Sequence, residues 1–299
     1  MPTAFYAVGS FIHSILASQS SYCLYMKQLL SLFFAFGIIL PTQAAELRLL
    51  TPSVRQGQTI IAIFDQKPQQ LIIDNKLAET FLYQNSYRAV IPTSRTIPLG
   101  THTLAATFPN GILKNTFITI TPAFKKMIIL PVPPKLEQTP KQLVQNLTTT
   151  NTAIKKQVAL VSRNTFFSTG FGLPLYDNRK ISSRFGEIRK TGNEQITHLG
   201  TDFDAKKGVA VAAINAGVVI ASYLDPIYGN SVFIDHGQGI YSLYLHLDKR
   251  MVGKEQKVEK GQKIGTVGET GLASAPHLHL SIKINGISVD PIQFVNSFR

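Results

Sequence analysis

Apolar and polar residues alternate along much of this chain with the period of two that marks β-strands. The clearest run is His277-Leu-His-Leu-Ser-Ile-Lys-Ile284, in which every second residue is apolar. Residues two apart on a strand share a face, so Leu278, Leu280, Ile282 and Ile284 are predicted to face a core. His277 and His279 then point together to the other side. Tyr241-Ser-Leu-Tyr-Leu-His246-Leu reads as the return strand of a hairpin from Ser231-Val-Phe-Ile-Asp-His236, with His236-Gly-Gln-Gly239 as its turn. From Ile181 onward, β-branched runs and glycine turns continue to the end.

Between residue 46 and about 130 the runs are shorter: 59–64, 70–73, 87–91, 101–108 and 115–120. Turn residues separate them, notably Asp74-Asn75, Pro98-Leu-Gly100 and Pro109-Asn-Gly111. This pattern predicts a small antiparallel β-sandwich, immunoglobulin-like in style. Pro131-Val-Pro-Pro134 marks a linker. Thr139 to about Arg163 has helical composition, with Pro140 placed where a helix N-terminus allows it. The expected chain is mostly β, with one helical connector. It divides into an export segment (1–45), an N-terminal β-domain (46–130), a linker and helix (131–165) and a C-terminal domain (166–299).

The candidate chemistry lies in that last part. Of seven histidines, His198, His246, His277 and His279 combine with Asp202 into a set that reads as a metal site. Imidazole and carboxylate suit Zn²⁺, and a catalytic zinc takes three protein ligands plus an open position for water. Five candidates exceed what one metal needs, which points to a reaction centre. His198 and Asp202 cannot share a metal from one straight strand. Four steps of ~3.3 Å separate them by roughly 13 Å, whereas ligands of one ion lie about 3–3.5 Å apart. The chain must bend between them, and Gly200 is where a bend costs least. No His-Glu-x-x-His helix is present. His102 and His236 read as satisfied polar residues, His236 in the hairpin turn being structural or substrate-side. Asp204, Asp235 and Glu269 read as surface or supporting groups, one of which could orient a ligand imidazole.

The His-x3-Asp pair, the Tyr244-Leu-His246-Leu element and Pro276-His-Leu-His279, in that order, resemble the lysostaphin/LytM-type zinc metallopeptidases, the M23 peptidase family. The surrounding text is similar too: Ser183-Arg-Phe-Gly186, Gly208-Val-Ala-Val-Ala-Ala-Ile-Asn-Ala-Gly217, Gly261-Gln-Lys-Ile-Gly265-Thr-Val-Gly268-Glu-Thr-Gly271 and Asp290-Pro291. The resemblance covers roughly residues 166–298 and implies a C-terminal antiparallel β catalytic domain of the M23 type. It implies zinc held by His198, Asp202 and His279, with His246 and His277 handling the water and the developing oxyanion. Which of those two is the base stays open. The implied substrate is bacterial peptidoglycan, cut in its peptide cross-links or stem peptides. A glycyl–glycine and a D-alanyl–diaminopimelyl bond are both compatible. The second is preferred because no wall-targeting module follows the catalytic text.

The front of the chain bears on location. Met26-Lys27, the apolar run to Leu40 and Pro41-Thr-Gln-Ala-Ala45 form a secretory signal peptide, with cleavage after Ala44 or Ala45. The apolar run is short for a membrane span, which needs ~20 residues, so no stable span is expected in the mature chain; an uncleaved anchor is the alternative. Residues 1–25 carry no charge and read as a mis-assigned extension before a true start at Met26. The one cysteine, Cys23, lies within it, which leaves no disulfide or thiol nucleophile in the exported chain. The expected location is the periplasm or cell envelope.

The formal charge is +13, and Lys27 is the one charged residue among the first 45, so the exported chain keeps +12. A basic surface suits peptidoglycan carboxylates, wall or lipid phosphates, or nucleic acid. Export and the lack of a recognition motif exclude nucleic acid. The N-terminal β-domain could position the enzyme, bind an envelope protein partner or occlude the cleft. Two other function classes stand beside the peptidase. One is a catalytically silent envelope regulator that binds and activates other wall hydrolases, which the five filled positions disfavour. The other is a cytoplasmic carrier domain of related β-fold, which needs no His-x3-Asp pair.

Overall fold

The computed structural model describes residues 45–109, 111–129, 138–159, 162–176 and 180–298. The stretch read as a signal peptide, up to Ala44, the extension with Cys23 and the linker read at Pro131-Val-Pro-Pro134 lie outside the described residues.

Two facing sheets occupy residues 47–121. One has the strand order Leu47–Leu49, Thr59–Phe64, Ser86–Pro92, Phe81–Tyr83. The other runs Ser53–Arg55, Leu113–Thr121, Gly100–Thr107, Gln70–Ile73, Lys76–Leu77. Ile60, Ala62, Phe64, Ala89 and Ile91 of the first meet Leu71, Leu104, Ala106, Ile118 and Ile120 of the second in one apolar core. Asp74 and Asn75, with φ of 44° and 66°, make the tight turn between Gln70–Ile73 and Lys76–Leu77, as a two-residue hairpin requires. The pairing is not wholly antiparallel, because Ser53–Arg55 runs parallel to Leu113–Thr121. Three residues are too few to show an alternation, so this strand was not legible in the sequence.

Thr59–Phe64 is buried along almost its whole length, as a near-continuous apolar run must be when both faces are covered. Its second face joins a different core, in which Ile61, Val90, Phe81 and Tyr83 pack with Phe167, Phe171, Phe294 and Phe298. The ring of Phe171 lies 4.8 Å from Phe294, 5.1 Å from Phe167 and 5.3 Å from Phe298. Gln293 clamps the same strand. Its Oε1 accepts from Thr59 N at 2.8 Å and its Nε2 donates to Thr59 O at 2.9 Å.

The large sheet has a main path in the order Ile181–Ser183, Thr201–Asp204, His277–Ile284, Ile240–Arg250, Gly229–Gly237, Gly217–Asp225, Lys257–Val258. Ala210–Ala212, Lys263–Val267 and Ile287–Val289 pair off that path. As expected, the chain is mostly β, and Leu278, Leu280, Ile282 and Ile284 all lie in the main core at 0 % exposure. The hairpin turn is tighter than expected. His236 and Gly237 still belong to the first strand, and Gln238 and Gly239, both at positive φ, make the corner.

The opposite face of this sheet carries a helix over Pro140–Gln157. Thr139 and Gln142 form a capping box, and Pro140 needs no N–H in the first turn. The helix stops at Gln157, short of the expected Arg163. It seats Ile154 and Val158 on Phe233, Tyr241, Leu243 and Leu245. Met127–Ile129 pairs in parallel with Ile188–Lys190, part of the Ile188–Thr191 strand that itself pairs with Glu194–Thr197. A short second helix, Pro291–Ser297, was not expected. Asp290 caps it by accepting from the N–H of Ile292 and Gln293, but seven residues make too few turns to show a period.

Two outcomes test this packing. Phe171→Ala is expected to lower the unfolding free energy by about 3–5 kcal/mol, measured by denaturant melts. His102 is hydrogen-bonded to Asp74, which raises its pKa above 6.5 against the opposing effect of burial. That stabilisation is complete below the unfolded value and is lost as pH rises through the raised folded one. The melting temperature of the wild-type protein is therefore expected to decline between pH 6 and pH 8, and His102→Gln to flatten that decline.

Candidate metal centre

The site is assembled by strand register. Thr201–Asp204 runs antiparallel to His277–Ile284, with Asp202 opposite His279 and Asp204 opposite His277. Asp202 and His279 therefore share one face, across from the core. His198 follows the Glu194–Thr197 strand and is brought back to them by a bend at Gly200. Gly200 is needed for closeness. A Cβ there would lie 2.3 Å from His279 Nε2 and 2.6 Å from the Leu280 carbonyl.

His246 arrives by a different device. The Ile240–Arg250 strand pairs with His277–Ile284 as far as Leu245, and with Lys263–Val267 from Leu247. His246 sits at the change of partner with φ 60°, a left-handed conformation costing of order 1–3 kcal/mol in a non-glycine residue. Strict alternation would send Leu245 and His246 to opposite faces. The kink puts both on the cleft side.

His198 Nε2, His279 Nδ1 and Asp202 Oδ1 form a triangle with sides of 3.0, 2.8 and 3.1 Å. Their tautomers follow from what lies behind them. His198 Nδ1 is 2.9 Å from the Arg184 carbonyl, so that nitrogen carries the proton. His279 Nε2 is 2.9 Å from Ser281 Oγ, whose own hydrogen goes to the Leu199 carbonyl at 2.8 Å. His279 Nε2 must then be the donor. The two nitrogens within the triangle are thus lone pairs, and both meet a carboxylate oxygen. Three acceptors with no proton between them repel, and a cation among them resolves this. Ligands of a tetrahedral ion at ~2.0–2.2 Å stand about 3–3.5 Å apart, so the donor set fits a divalent metal.

Burial pushes His279 down to about 4 and His246 down to about 3, the latter helped by His277 and His279. Both imidazoles are neutral at pH 7. The Asp202 carboxyl is held well below the usual carboxylate range despite its burial, so it carries the negative charge of the cluster. Asp202 Oδ2 is held by the Arg189 guanidinium, which also donates to Ser183 Oγ at 3.1 Å. Ser183 in turn donates to the buried Glu187 at 2.5 Å.

His246 and His277 lie beside the triangle, their rings 4.9 Å apart. His246 Nδ1 donates to the Thr270 carbonyl at 2.9 Å and His277 Nδ1 to that of Ala275 at 2.8 Å. In the neutral ring each leaves Nε2 as the basic nitrogen, that of His277 3.9 Å from Asp202 Oδ1. The Tyr228 ring flanks His246 and His279 at 6.2 and 6.4 Å, and its hydroxyl donates to Asn151 of the long helix at 2.9 Å. All these groups line one cleft of about 820 Å³, walled by Ile128, Leu143, Leu147 and Ile154.

All five residues singled out from the sequence thus meet in one place. His236 does not join them. It is fully buried between the Ala216 carbonyl and Ser242 Oγ, both at 2.7 Å, so a substrate-side role is excluded by access. Nor does Asp204, Asp235 or Glu269 orient a ligand imidazole, since those N–H groups are taken by Arg184 and Ser281. Asp235 instead accepts from Gly237 N at 2.7 Å. Ser281 was findable, two residues beyond His279 on the same strand face. Ser183 lies in the Ser183-Arg-Phe-Gly186 stretch, which assigned it no role, and Arg189, Glu187 and Tyr228 carried no local signal.

Residues 196–291 match peptidase family M23, and the chain carries that domain. Among similar curated proteins, peptidoglycan DD-endopeptidase ShyC of Vibrio cholerae is 40% identical over 118 residues, which is 38% of this chain and 27% of the relative. The DD-carboxypeptidase/endopeptidase Mpg of Neisseria meningitidis is 36% identical over 124 residues, 41% of this chain and 29% of the relative. The chain therefore spans less than a third of the length of these relatives. A crystal structure from Pseudomonas aeruginosa, described as peptidase M23, superposes with a TM-score of 0.56 and 24% identity. The match covers 80% of this chain and 94% of that one, a likeness of fold.

Gly200→Ala is expected to drive the His279 ring out of the triangle. Calorimetric titration with Zn²⁺ would then show roughly 10–100-fold weaker binding than the wild-type protein, with the far-ultraviolet spectrum of the β-sheet retained.

Proposed function

With an M23 peptidase domain as the premise, we propose that this protein is an exported zinc-dependent endopeptidase that hydrolyses peptide cross-links or stem peptides of bacterial peptidoglycan. The observation that carries the reading is the convergence of two unprotonated imidazole nitrogens on one carboxylate oxygen, with every other N–H on those rings already engaged. His198, Asp202 and His279 would hold the zinc. Bound there, zinc supplies a water of lowered pKa and polarises the scissile carbonyl. His246 and His277 do the proton work. Each is held by a backbone carbonyl with Nε2 free, so one accepts the proton of the attacking water. Once protonated, that ring stabilises the oxyanion and returns the proton to the leaving amine.

The relative ShyC is named as a peptidoglycan DD-endopeptidase, which supports that substrate. The D-alanyl–diaminopimelyl cross-link is the bond we favour, after that DD-endopeptidase. Export rests on the signal peptide read at residues 26–45, and the protein then works in the periplasm or cell envelope. No helix among the described residues is long and apolar enough to cross a membrane. Residues 46–130 act as a β-domain, 131–165 as a connector and 166–299 as the catalytic domain, with the β-domain offering a surface to an envelope partner. A catalytically silent regulator is disfavoured because the donor set and both bases are complete.

The chain from residue 46, incubated with purified peptidoglycan, is expected to convert cross-linked dimers to monomers, read by mass spectrometry. A chelator should abolish this and Zn²⁺ restore it; no cleavage by a zinc-loaded sample would overturn the reading. His279→Ala is expected to lose metal and activity together. His246→Ala should keep the metal and lose roughly 10²–10⁴-fold in kcat. Loss of zinc from the His246 variant would contradict the division of roles.

A further inference from the structure

The strand that carries His277 and His279 continues the same face through Ser281 to Lys283. Lys283 is 4 % exposed and lines the same cleft as the metal donors. An ammonium has three hydrogens to donate. Here Nζ donates to Ser288 Oγ at 2.7 Å, and among the described residues no carboxylate pairs with it. The charge that acts on it is of the same sign: Lys155, in the last turn of the long helix. Lys155 stands against the Ile287–Val289 hairpin, its Cγ 3.5 Å from where a Cβ on Gly286 would be. Tyr241 is its cross-strand neighbour. Burial, reinforced by Lys155, pulls the Lys283 amine down to about 8.

A lysine whose stem covers apolar surface normally carries its head out to water. This one keeps its head inside, beside a second cation and without an acid, an arrangement that costs free energy unless an anion arrives. Lys283 lies four residues along the strand from His279, about 13 Å. That is the span of roughly four residues of extended peptide. Ser281, Leu243 and Leu245 floor the cleft between the two ends, and Asn151 and Ile154 of the helix stand over it.

We propose that Lys283, with Lys155 beside it, forms a carboxylate-binding subsite at the far end of the cleft, which takes a free carboxylate of the peptide substrate about 13 Å from the metal donors. The identity of the substrate rests on the function proposed above; the anion site itself does not. The subsite selects acidic peptides and sets how far they enter.

The test uses two probes, cross-linked muropeptide dimers with free carboxylates and the same dimers with every carboxylate amidated. Cleavage is followed on the zinc-loaded chain from residue 46, and binding by calorimetry on the metal-stripped protein. Wild type is expected to favour the free acid by roughly tenfold or more in both kcat/KM and Kd. Lys283→Met should bring the ratio of acid to amide close to one at wild-type zinc content, and Lys283→Arg should restore most of it. If Lys283→Met does not fold, Lys155→Met carries the test, since Lys155 is exposed on the helix; it should reduce the ratio two- to threefold. Equal ratios in wild type and variants would overturn the subsite. Acid-selective, Lys283-dependent binding without any cleavage would keep the subsite and overturn the endopeptidase. Cleavage indifferent to Lys283 would do the reverse.

Discussion

The structure turns on the pinning of two imidazoles from behind. His198 gives its Nδ1 hydrogen to a backbone carbonyl and His279 gives its Nε2 hydrogen to Ser281, so each is committed to one tautomer. The nitrogens left over have only lone pairs to offer, and both meet an ionised Asp202. Such a triangle is unfavourable by itself and is made favourable by a cation. The bend at Gly200, the register that sets Asp202 across from His279, and the Ser281 to Leu199 hydrogen bond all serve this arrangement.

The rest of the large sheet makes that geometry stiff. One face of the His277–Ile284 strand is sealed into the main core, so its other face cannot rotate away without exposing Leu278, Leu280 and Ile282. The same core extends into Thr59–Phe64 and Ser86–Pro92 through a cluster of phenylalanines, and Gln293 ties the Thr59 backbone to the C-terminal helix. The β-sheets of residues 47–121 are therefore packed onto the large sheet that carries the metal donors and share its core.

The segment between these sheets and the catalytic strands does more than connect. Met127–Ile129 extends the small sheet beside the cleft, and the long helix lays Ile154 and Val158 over the strand that leads to His246. Leu143, Leu147 and Ile128 wall the same space as the histidines. The shape of the cleft is set in part by chain that precedes the histidine motifs. Buried imidazoles with depressed pKa values stay neutral there at pH 7, the state that both metal ligation and proton abstraction require.

The sequence by itself determined the pieces that follow from short-range periodicity. Alternation at 277–284 placed two histidines on one face and four apolar residues on the other; the steric freedom of glycine located the bend at Gly200; and the donor types specified a metal. It also marked five of the strands in residues 59–120, where each run was long enough to show its period. Only tertiary structure decided the remainder. His246 faces the cleft because its strand changes partners there and adopts a positive φ, which no local pattern announces. Arg189, Ser183 and Glu187 come to the ligands from a neighbouring strand and loop, and Tyr228 comes from a hairpin held by the helix. The short strands and the Pro291–Ser297 helix lacked the length for a period to be read. Periodicity reports which way a side chain points, but its neighbours across a sheet or beneath a helix depend on register and packing, which are properties of the folded chain.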